Sequence, residues 1–333
     1  MRALLLDSPQ PADRSPLRLA ELPAPTAGPG EVRVQIRCCA ICHTDLHIVE
    51  GDLALPRQPI IPGHQVVGLI DQLGPGVQKL EAGDRVGIPW LYSTDGTCAF
   101  CLRHNENLCE QARFTGYHVP GGYAEYCVVR EDFAHPLPSE FTDEQAAPLL
   151  CAGVIGYRAY RLSGAQPGDH LGLYGFGASA HLVLQLARHQ GCEVYVFTRS
   201  RAHRDLAEQL GAVWTGAAED TPPRPLDAAI LFAPAGSLVP QALRVLGKGR
   251  TLALAGITMT EIPALDYNLL YHERVVRSVA NSTRDDVRDF LRAAAAVPIQ
   301  PRVQLYPLAE GNRALQDLKH SRLDGAGVLQ VGK

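Results

Sequence analysis

A glycine-rich turn at residues 175–180 constrains the fold of this chain more than any other feature of its sequence. The turn reads Gly-Phe-Gly-Ala-Ser-Ala, follows the apolar run Leu171–Tyr174 and precedes a helical pattern that ends before Gly191. Small residues in the order G-x-G-x-x-G/A allow a tight turn, and they let the backbone approach a pyrophosphate closely. The turn therefore predicts a dinucleotide-binding βαβ unit. The residues expected at the cofactor are Gly175, Gly177, Ala178 and Ala180.

The two parts of the chain differ in pattern, and 333 residues are enough for two domains. From about residue 150, short apolar runs alternate with helical patterns, which is typical of a doubly wound parallel sheet. The preceding residues combine glycine, proline and short strand-like runs, as in a β-rich unit. A last helix, capped by Ser282 or Thr283, is expected to return the chain to the first domain. We therefore expect an α/β chain with one domain at 1–148 and 280–333 and a second at 149–279.

The second strand of the βαβ unit ends in the sequence Thr198-Arg199-Ser200. A site that prefers NAD usually has an Asp or Glu near this position to bind the ribose hydroxyls, and this segment has no acid. Thr198 and Ser200 can donate hydrogen bonds to a 2′-phosphate, and Arg199 can pair with it. These residues favour NADP over NAD. The alternative is that the arginines of this segment are ordinary solvated surface residues.

Charge and composition exclude several classes of partner. The net charge of −4 and the pI near 6.3 offer no attraction to nucleic acid or to an anionic membrane. No run approaches the roughly 18–20 apolar residues that a membrane helix needs. In the N-terminal sequence MRALLLDSPQ, the apolar run is too short for a signal peptide, and an acidic residue follows it too soon. We therefore expect a cytoplasmic protein. An odd count of nine cysteines then favours thiolates that bind metal or react over disulfides.

Three cysteines, Cys98, Cys101 and Cys109, lie close together on a loop of polar and turn residues. Three thiolates at this spacing suit a closed structural zinc site, which needs a fourth ligand. Asp95 lies three residues before Cys98, the same interval that separates Cys98 from Cys101, whereas His104 lies inside the loop. The sequence therefore favours Asp95 over His104 as the fourth ligand. A further alternative is three reduced cysteines without a metal.

A second set of possible ligands is dispersed along the chain. Cys42 lies in Cys-His-Thr-Asp, His64 in Pro-Gly-His-Gln and Cys151 in Leu-Cys-Ala-Gly. Two cysteines and a histidine with an open fourth position are a known ligand set for a catalytic zinc. The separations are too large for spacing alone to group these residues, and a lone histidine is more often structural.

In their order along the chain, these motifs resemble those of a known family. Residues 42–47 read Cys-His-Thr-Asp-Leu-His and residues 62–64 read Pro-Gly-His. The cysteine loop, the segment Cys-Ala-Gly-Val at residues 151–154 and the glycine-rich turn follow. Over nearly its full length the chain looks like a zinc-dependent alcohol dehydrogenase of the medium-chain dehydrogenase/reductase superfamily. The resemblance implies a GroES-like catalytic domain, a Rossmann domain and reversible hydride transfer between an alcohol and NAD(P)+, which gives an aldehyde or ketone.

The resemblance also implies a role for each residue around the zinc. The residues that correspond to the ligands of the catalytic zinc are Cys42, His64 and Cys151. Thr44 corresponds to the hydroxyl that contacts the substrate oxygen, and His47 to the relay that passes a proton to solvent. Asp45 corresponds to the carboxylate that orients the zinc-bound histidine. Structural zinc is implied for the set Asp95, Cys98, Cys101 and Cys109.

Further expectations concern the cofactor and the substrate. His43 resembles a contact to the cofactor pyrophosphate, and Trp90 resembles an aromatic wall of the substrate pocket, with Ile155 as a second apolar residue. Primary aliphatic or benzylic alcohols are the expected substrates, and the chain is expected to form a homo-oligomer, a tetramer or a dimer. The alternatives are a zinc-free quinone or enone reductase of the same superfamily, or a non-catalytic nucleotide-binding protein.

The sequence departs from the family pattern at three positions. Gln65 replaces the usual Glu beside the zinc-binding histidine. Asp95 replaces the first of four cysteines in the structural-zinc loop. Ala326 stands where many relatives have an arginine that binds pyrophosphate. Gln65 affects the expected exchange of ligands at the catalytic zinc. Asp95 affects the occupancy of the structural-zinc loop by metal, and Ala326 affects the affinity for the cofactor.

Overall fold

A computed structural model of the chain describes residues 1–323 and 325–332, which form two compact units. The first unit comprises Met1–Cys151, Asn281–Ala295 and Gln300–Lys333. The second comprises Ala152–Ala280 and Ala296–Ile299. The first unit thus continues to Cys151, three residues beyond the boundary expected from the sequence. Within the described residues, no helix is long and apolar enough to cross a membrane.

The strands and α-helices are numbered here in chain order. The strands are β1 (Arg2–Leu6), β2 (Leu17–Glu21), β3 (Glu31–Ala40), β4 (Val66–Leu73), β5 (Arg85–Ile88), β6 (Leu91–Ser93), β7 (Arg113–Phe114), β8 (Tyr126–Arg130), β9 (His135–Pro136), β10 (His170–Tyr174), β11 (Glu193–Phe197), β12 (Trp214–Gly216), β13 (Leu226–Leu231), β14 (Leu246–Leu254), β15 (Val275–Ser278), β16 (Val303–Pro307) and β17 (Ala326–Gln330). The helices are α1 (His43–Glu50), α2 (Asp143–Ala146), α3 (Ala152–Ser163), α4 (Ala178–His189), α5 (Arg201–Gln209), α6 (Leu238–Val245), α7 (Arg284–Ala296) and α8 (Gly311–Lys319).

The second unit is built on a six-stranded sheet whose paired strands are all parallel. Its strand order is β12-β11-β10-β13-β14-β15, the order of a doubly wound dinucleotide-binding fold. The central strands carry continuous apolar runs, because helices cover both faces of such a sheet. Leu171, Val194 and Ile230 are accordingly fully buried. The α/β fold class expected from the alternation of strands and helices is confirmed.

The glycine-rich turn connects β10 to α4. Gly175 has a φ of +87°, and a Cβ at this position would lie 3.0 Å from the main-chain nitrogen of Ala233, so a larger residue would be strained. Gly177 is the N-cap of α4 and supplies no side-chain cap. A Cβ built on Gly177 meets no described atom within 4 Å. The space on the Cβ side of Gly177 is therefore open at the start of α4, and an anion is favoured at a helix N-terminus.

The first unit contains a mostly antiparallel sheet in the order β16-β17-β3-β4-β5-β9, with β8 also paired to β3. Strand β3 alternates buried and less buried residues, with Val32, Val34 and Ile36 on the buried side. This period of two directs one face of the strand into the apolar core of the unit. The end of β3 leads directly into α1, which carries several of the predicted site residues.

The sequence patterns did not predict the strands that depend on distant partners. Strand β17 pairs with β3 through Leu329 and Cys39, and it also pairs in parallel with β16. Such pairing joins residues far apart in the sequence, whereas periodicity reports only the local environment of a segment. The short edge strand β12 and the helix α8 were also not predicted, although α8 is amphipathic, with Gly311, Ala314 and Leu315 on its buried face.

Candidate active site

The structure brings together Cys42, His64 and Cys151, which lie far apart in the sequence. The sulfur of Cys42 lies 3.3 Å from Nε2 of His64 and 3.9 Å from the sulfur of Cys151. One ligand atom from each of the three residues lies within 4.8 Å of the other two. Two thiol sulfurs and an imidazole nitrogen at these distances can share one metal ion, and sulfur and imidazole donors suit zinc.

The backbone of α1 fixes the position of Cys42. Cys42 is the N-cap of this helix, and its sulfur accepts the N–H of Thr44 at 3.3 Å. In return, Oδ2 of Asp45 accepts the N–H of Cys42 at 3.0 Å, which completes a capping box. The sulfur is thus held at the start of the helix, where its negative charge is favoured by the helix dipole.

Asp45 also orients His64. Its Oδ1 lies 2.9 Å from Nδ1 of His64, and both side chains are fully buried. A proton on Nδ1 satisfies this contact, and Nε2 is the ring nitrogen that faces the sulfur of Cys42. One carboxylate therefore fixes both the N-cap residue of α1, Cys42, and the imidazole ring of His64.

The electrostatics of this cluster favour a cation. The pKa of the Cys42 thiol lies well below its ordinary value, because the thiol of Cys151 hydrogen-bonds to it and the imidazole of His64 lies beside it, which together outweigh the effect of burial. A thiolate is the form that binds a metal. The cluster thus places a stabilised negative charge at the point where the ligand atoms converge.

The second predicted set also forms a cluster. Ligand atoms of Asp95, Cys98, Cys101 and Cys109 all lie within 4.8 Å of one another. Oδ1 of Asp95 accepts the N–H groups of Thr97 and Cys98, at 2.8 and 2.9 Å. These bonds hold the carboxylate against the loop and lower its pKa.

His104, the alternative fourth ligand, lies elsewhere. It has a left-handed backbone with φ +57°, its side chain is largely exposed, and its Nδ1 lies 3.3 Å from Oδ2 of Asp285. The structure therefore groups Asp95, and not His104, with the three cysteines. The same loop contains the buried Glu106, whose Oε1 accepts the main-chain N–H of Arg284 at 2.9 Å at the start of α7.

Three of the predicted cofactor residues, Thr198, Arg199 and Ser200, follow the carboxyl end of β11. Thr198 follows this strand and donates its N–H to the carbonyl of Gly216 at 2.8 Å. Arg199 is exposed. The hydroxyl oxygen of Ser200 caps α5 by accepting the N–H of His203 at 3.3 Å. His43 is the exposed first residue of α1.

Comparisons with known proteins match this arrangement to one family. The description "Alcohol dehydrogenase GroES-like domain" matches residues 28–139, and "Zinc-binding dehydrogenase" matches residues 180–296. The chain is 48% identical to the "Probable alcohol dehydrogenase AdhA" of Mycobacterium tuberculosis, over 99% of this chain and 97% of that protein. The chain belongs to the zinc-type alcohol dehydrogenases of the medium-chain dehydrogenase/reductase superfamily.

Other members of the alcohol dehydrogenase family are more distant in sequence and similar in fold. An alcohol dehydrogenase of Geobacillus stearothermophilus is 36% identical over 96% of this chain and 97% of its own length. The crystal structure of an NAD-dependent alcohol dehydrogenase has a TM-score of 0.91 at 26% identity, and it covers 100% of both chains. A thermostable alcohol dehydrogenase from Pyrobaculum aerophilum has a TM-score of 0.90 at 26% identity, with 99% of each chain covered.

The three departures from the alcohol dehydrogenase pattern occupy different environments. Gln65 is 1% exposed, and its amide nitrogen forms no hydrogen bond with a described group. Asp95 lies within the loop cluster. Ala326 is buried at the start of β17.

Sequence reasoning missed Asp52, which lies next to the predicted relay histidine. Nδ1 of His47 lies 2.7 Å from Oδ2 of Asp52. The helix α1 ends at Gly51, whose φ of +88° reverses the chain so that Asp52 returns toward His47. A glycine just after a helix, followed by a carboxylate, is the local signal that could have identified this pair.

The predicted aromatic wall contains a second ring that was also missed. The ring of Trp90 lies 6.0 Å from that of His64, and it stacks on Phe114 at 4.4 Å. Phe114 belongs to β7, which pairs with β6 just after Trp90, and this pairing was not visible in the sequence. Ile155 lies half-buried on α3 in the second unit.

Proposed function

We propose that this chain is a zinc-dependent alcohol dehydrogenase that interconverts alcohols with aldehydes or ketones, with NAD(P) as the hydride carrier. The observation that carries the proposal is the convergence of Cys42, His64 and Cys151 on one point, with Asp45 oriented behind the histidine. Three ligands of this kind leave a fourth position for a substrate oxygen. Quinone and enone reduction has no need of such a set.

The donor atoms present fit zinc. Zinc held by Cys42, His64 and Cys151 would supply a Lewis acid for the oxygen of the alcohol or carbonyl substrate. The buried Asp45 keeps the imidazole of His64 in the tautomer that offers Nε2 as a ligand. The N-cap geometry of Cys42 holds its sulfur toward the same point.

Two residues of α1 and one residue of the turn after it would transfer the proton of the substrate hydroxyl to solvent. Thr44 is buried beside Cys42, and its hydroxyl would hydrogen-bond the substrate oxygen. His47, partly exposed, would carry the proton to solvent. Asp52 would hold a proton on Nδ1 of His47, so that Nε2 is the nitrogen that accepts.

The second unit would bind the dinucleotide. The free space at Gly177 and the uncapped N-terminus of α4 suit a pyrophosphate, and the residues of this turn in the proposed site are Gly175, Gly177, Ala178 and Ala180. A bound nicotinamide would accept the hydride from the alcohol. His43, at the first position of α1, is proposed as a further polar contact to the pyrophosphate.

NADP is proposed as the preferred cofactor. Oγ of Ser200 accepts a main-chain N–H, so its hydroxyl hydrogen can still point to a 2′-phosphate. Thr198 and the exposed Arg199 would complete the contact, and no carboxylate in this segment opposes the phosphate charge.

Further parts of the proposal concern the loop, the substrate and the assembly. A second, structural zinc would be held by Asp95, Cys98, Cys101 and Cys109. Trp90 and Phe114 would contact the apolar part of a primary aliphatic or benzylic alcohol, with Ile155 as a further apolar residue. A homo-oligomer, a tetramer or a dimer, is expected from the resemblance.

The test uses an alcohol deuterated at the carbon that carries the hydroxyl. We expect the deuterium to appear in the reduced cofactor, with a higher kcat/KM for NADP+ than for NAD+, and the transfer to stop in Cys151→Ser. Cys192→Ser is the matched control, since Cys192 is a buried cysteine of the second unit outside both clusters. Deuterium transfer by Cys151→Ser at the rate of the unmodified enzyme would overturn the proposal.

A further inference from the structure

The turn that carries His64 packs against a glycine-containing segment of the first unit, residues 116–123, which we call the clamp segment. Three main-chain N–H groups of the clamp segment donate to three successive carbonyls of the turn. These bonds run from Gly121 to Ile61 at 2.7 Å, from Gly122 to Gly63 at 2.9 Å and from Tyr123 to Pro62 at 3.0 Å. The backbone that leads into His64 is thus held by main-chain hydrogen bonds over its last three residues.

Gly121 allows the two backbones to come this close. A Cβ at Gly121 would overlap the carbonyl oxygen of Gly63 and would lie 2.6 Å from that of Pro62. Gly121 does not have a positive φ, so a glycine is needed here for space and not for backbone conformation. Because both oxygens belong to the main chain, they cannot rotate away from an added methyl group. A larger residue at position 121 would therefore have to displace the turn.

Two further glycines of the clamp segment also lie close to this turn and to the strand after it. A Cβ at Gly116 would lie 2.8 Å from both the main-chain nitrogen and the carbonyl oxygen of Gly63. A Cβ at Gly122 would clash with the side chain of Val66, the first residue of β4. The backbone of the clamp segment therefore packs against residues on both sides of His64 in the sequence.

The clamp segment and Asp45 fix different parts of His64. Oδ1 of Asp45 lies 2.9 Å from Nδ1 and orients the ring, whereas the clamp segment determines where the backbone of His64 lies. Nε2 of His64 lies 3.3 Å from the sulfur of Cys42, and a shift of the turn would change this separation. A zinc site tolerates deviations of only about 0.2 Å in its ligand distances. A displaced turn would therefore weaken metal binding even with Asp45 in place.

We propose that Gly121 is a positioning residue, whose close approach to the turn lets the clamp segment hold His64 at the distance that the catalytic zinc requires. This inference rests on the proposed zinc site of Cys42, His64 and Cys151. The competing role of Gly121 is ordinary packing, which would affect the stability of the first unit and leave the metal site unchanged.

Gly121→Ala is compared with Gly74→Ala, the matched control. Gly74, directly after β4, also does not have a positive φ. A Cβ there would overlap the carbonyl oxygen of Gly28 and would lie 2.8 Å from that of Glu31. Both variants press a methyl group against two main-chain oxygens. The oxygens beside Gly121 belong to the turn of His64, whereas those beside Gly74 belong to the start of β3 and the residues before it.

The experiment measures zinc release from the purified enzyme into a chelating indicator. The release phase that is absent in Cys151→Ser is assigned to the catalytic site. We expect Gly121→Ala to accelerate this phase about tenfold, the lower end of the range for groups that support a metal ligand, and Gly74→Ala to leave it unchanged. With cobalt in place of zinc, the visible absorption of the catalytic site should shift in Gly121→Ala and not in Gly74→Ala.

A second measurement leaves the clamp segment unmodified and decides the question if Gly121→Ala does not fold. If the clamp segment holds His64 for zinc, then bound zinc also holds the clamp segment, because such coupling is reciprocal. We expect the N–H groups of Gly121 and Gly122 to exchange with deuterated water about tenfold faster in Cys151→Ser than in the zinc-loaded unmodified enzyme. The N–H of Gly74, which donates to the carbonyl of Glu31 at 2.9 Å, should exchange equally in both proteins. Equal exchange at Gly121 and Gly122 in both proteins would overturn the inference.

The outcomes separate this inference from the proposed function. If Cys151→Ser removes a zinc-release phase but Gly121→Ala has the release rate and the cobalt spectrum of Gly74→Ala, Gly121 is a packing residue and the metal site stands. If Cys151→Ser removes no zinc, the proposed site itself is wrong, and the role of Gly121 is overturned with it.

Discussion

At the scale of single residues, the contact between His47 and Asp52 joins a half-buried imidazole to an exposed carboxylate. The two side chains meet at 2.7 Å, and the exposed fractions of their side chains are 18% and 55%. A histidine that relays protons needs one nitrogen held and the other available. In the proposed relay, Asp52 would hold Nδ1 of His47, and the 55% exposed carboxylate of Asp52 reaches solvent.

Asp52→Asn should lower kcat for alcohol oxidation by about tenfold to a hundredfold, because a neutral amide cannot stabilise the charged imidazole. The KM for the alcohol and the zinc content should change little. The control is Asp7→Asn, since Asp7 is also a 55% exposed carboxylate, paired with Arg18. A kcat for Asp52→Asn equal to that of Asp7→Asn would remove Asp52 from the relay.

His135 makes the stability of the first unit sensitive to acid. It lies buried in β9, and burial, followed by the positive charges of Arg288 and Arg284, lowers its pKa to about 3. An unfolded histidine has a pKa of about 6.5. Between these values the unfolded chain binds a proton that the folded chain excludes, so the stabilisation is complete above pH 6.5 and is lost as the pH falls toward 3.

The predicted loss amounts to about 5 kcal/mol over that whole range, from a difference of roughly 3.5 pKa units. Urea unfolding at several pH values should show a shallower loss of stability below pH 6.5 in His135→Gln than in the unmodified protein. His189→Gln, at the exposed end of α4, should behave as the unmodified protein does. Equal acid dependence in His135→Gln and the unmodified protein would contradict this role.

At the scale of elements, α1 and the turn before β4 supply two of the three residues of the proposed metal site, and Cys151, just before α3, is the third. The helix is capped by Cys42 and Gly51, so one short element with its caps positions the proposed ligand Cys42, the carboxylate of Asp45 beside His64, and the imidazole of His47 that contacts Asp52. The turn before β4 supplies His64 from a backbone that only glycine tolerates at position 63, where φ is +98°.

Gly63→Ala tests the packing of this turn. A Cβ at position 63 would clash with the ring of Tyr123 and lie 2.9 Å from its main-chain nitrogen, whereas at Gly76, with a similar φ of +83°, it would meet no described atom within 4 Å. Both variants carry the strain of a positive φ. Gly63→Ala should therefore lower the free energy of unfolding by about 1–3 kcal/mol more than Gly76→Ala. Equal losses of unfolding free energy in Gly63→Ala and Gly76→Ala, measured by urea unfolding, would show that the turn accommodates the added Cβ without a further cost.

At the scale of the whole molecule, local patterns predicted the second unit better than the first. The runs around Leu171, Val194 and Ala228 are buried parallel strands, and their apolar character is visible over four or five residues. The pairing of Leu329 with Cys39 depends on residues far apart in the chain, and the sequence offered no sign of it.

The same limit applies to the candidate site. Spacing predicted the cluster of Cys98, Cys101 and Cys109, because the ligands lie on one loop. Spacing could not group Cys42 with His64 and Cys151, and only the resemblance to a family did so. The sequence also favoured Asp95 over His104 as the fourth residue of this cluster, and the structure places Asp95 with the three cysteines and Nδ1 of His104 3.3 Å from Asp285.

The most direct test of the central proposal is the zinc content per chain of metal-replete protein, measured by mass spectrometry. A catalytic and a structural site predict about two zinc ions per chain, falling to about one in Cys151→Ser and in Cys109→Ser. Alcohol oxidation should be lost in Cys151→Ser. If Cys151→Ser keeps as much zinc as the unmodified protein and still oxidises alcohols, the catalytic zinc is not held where we propose.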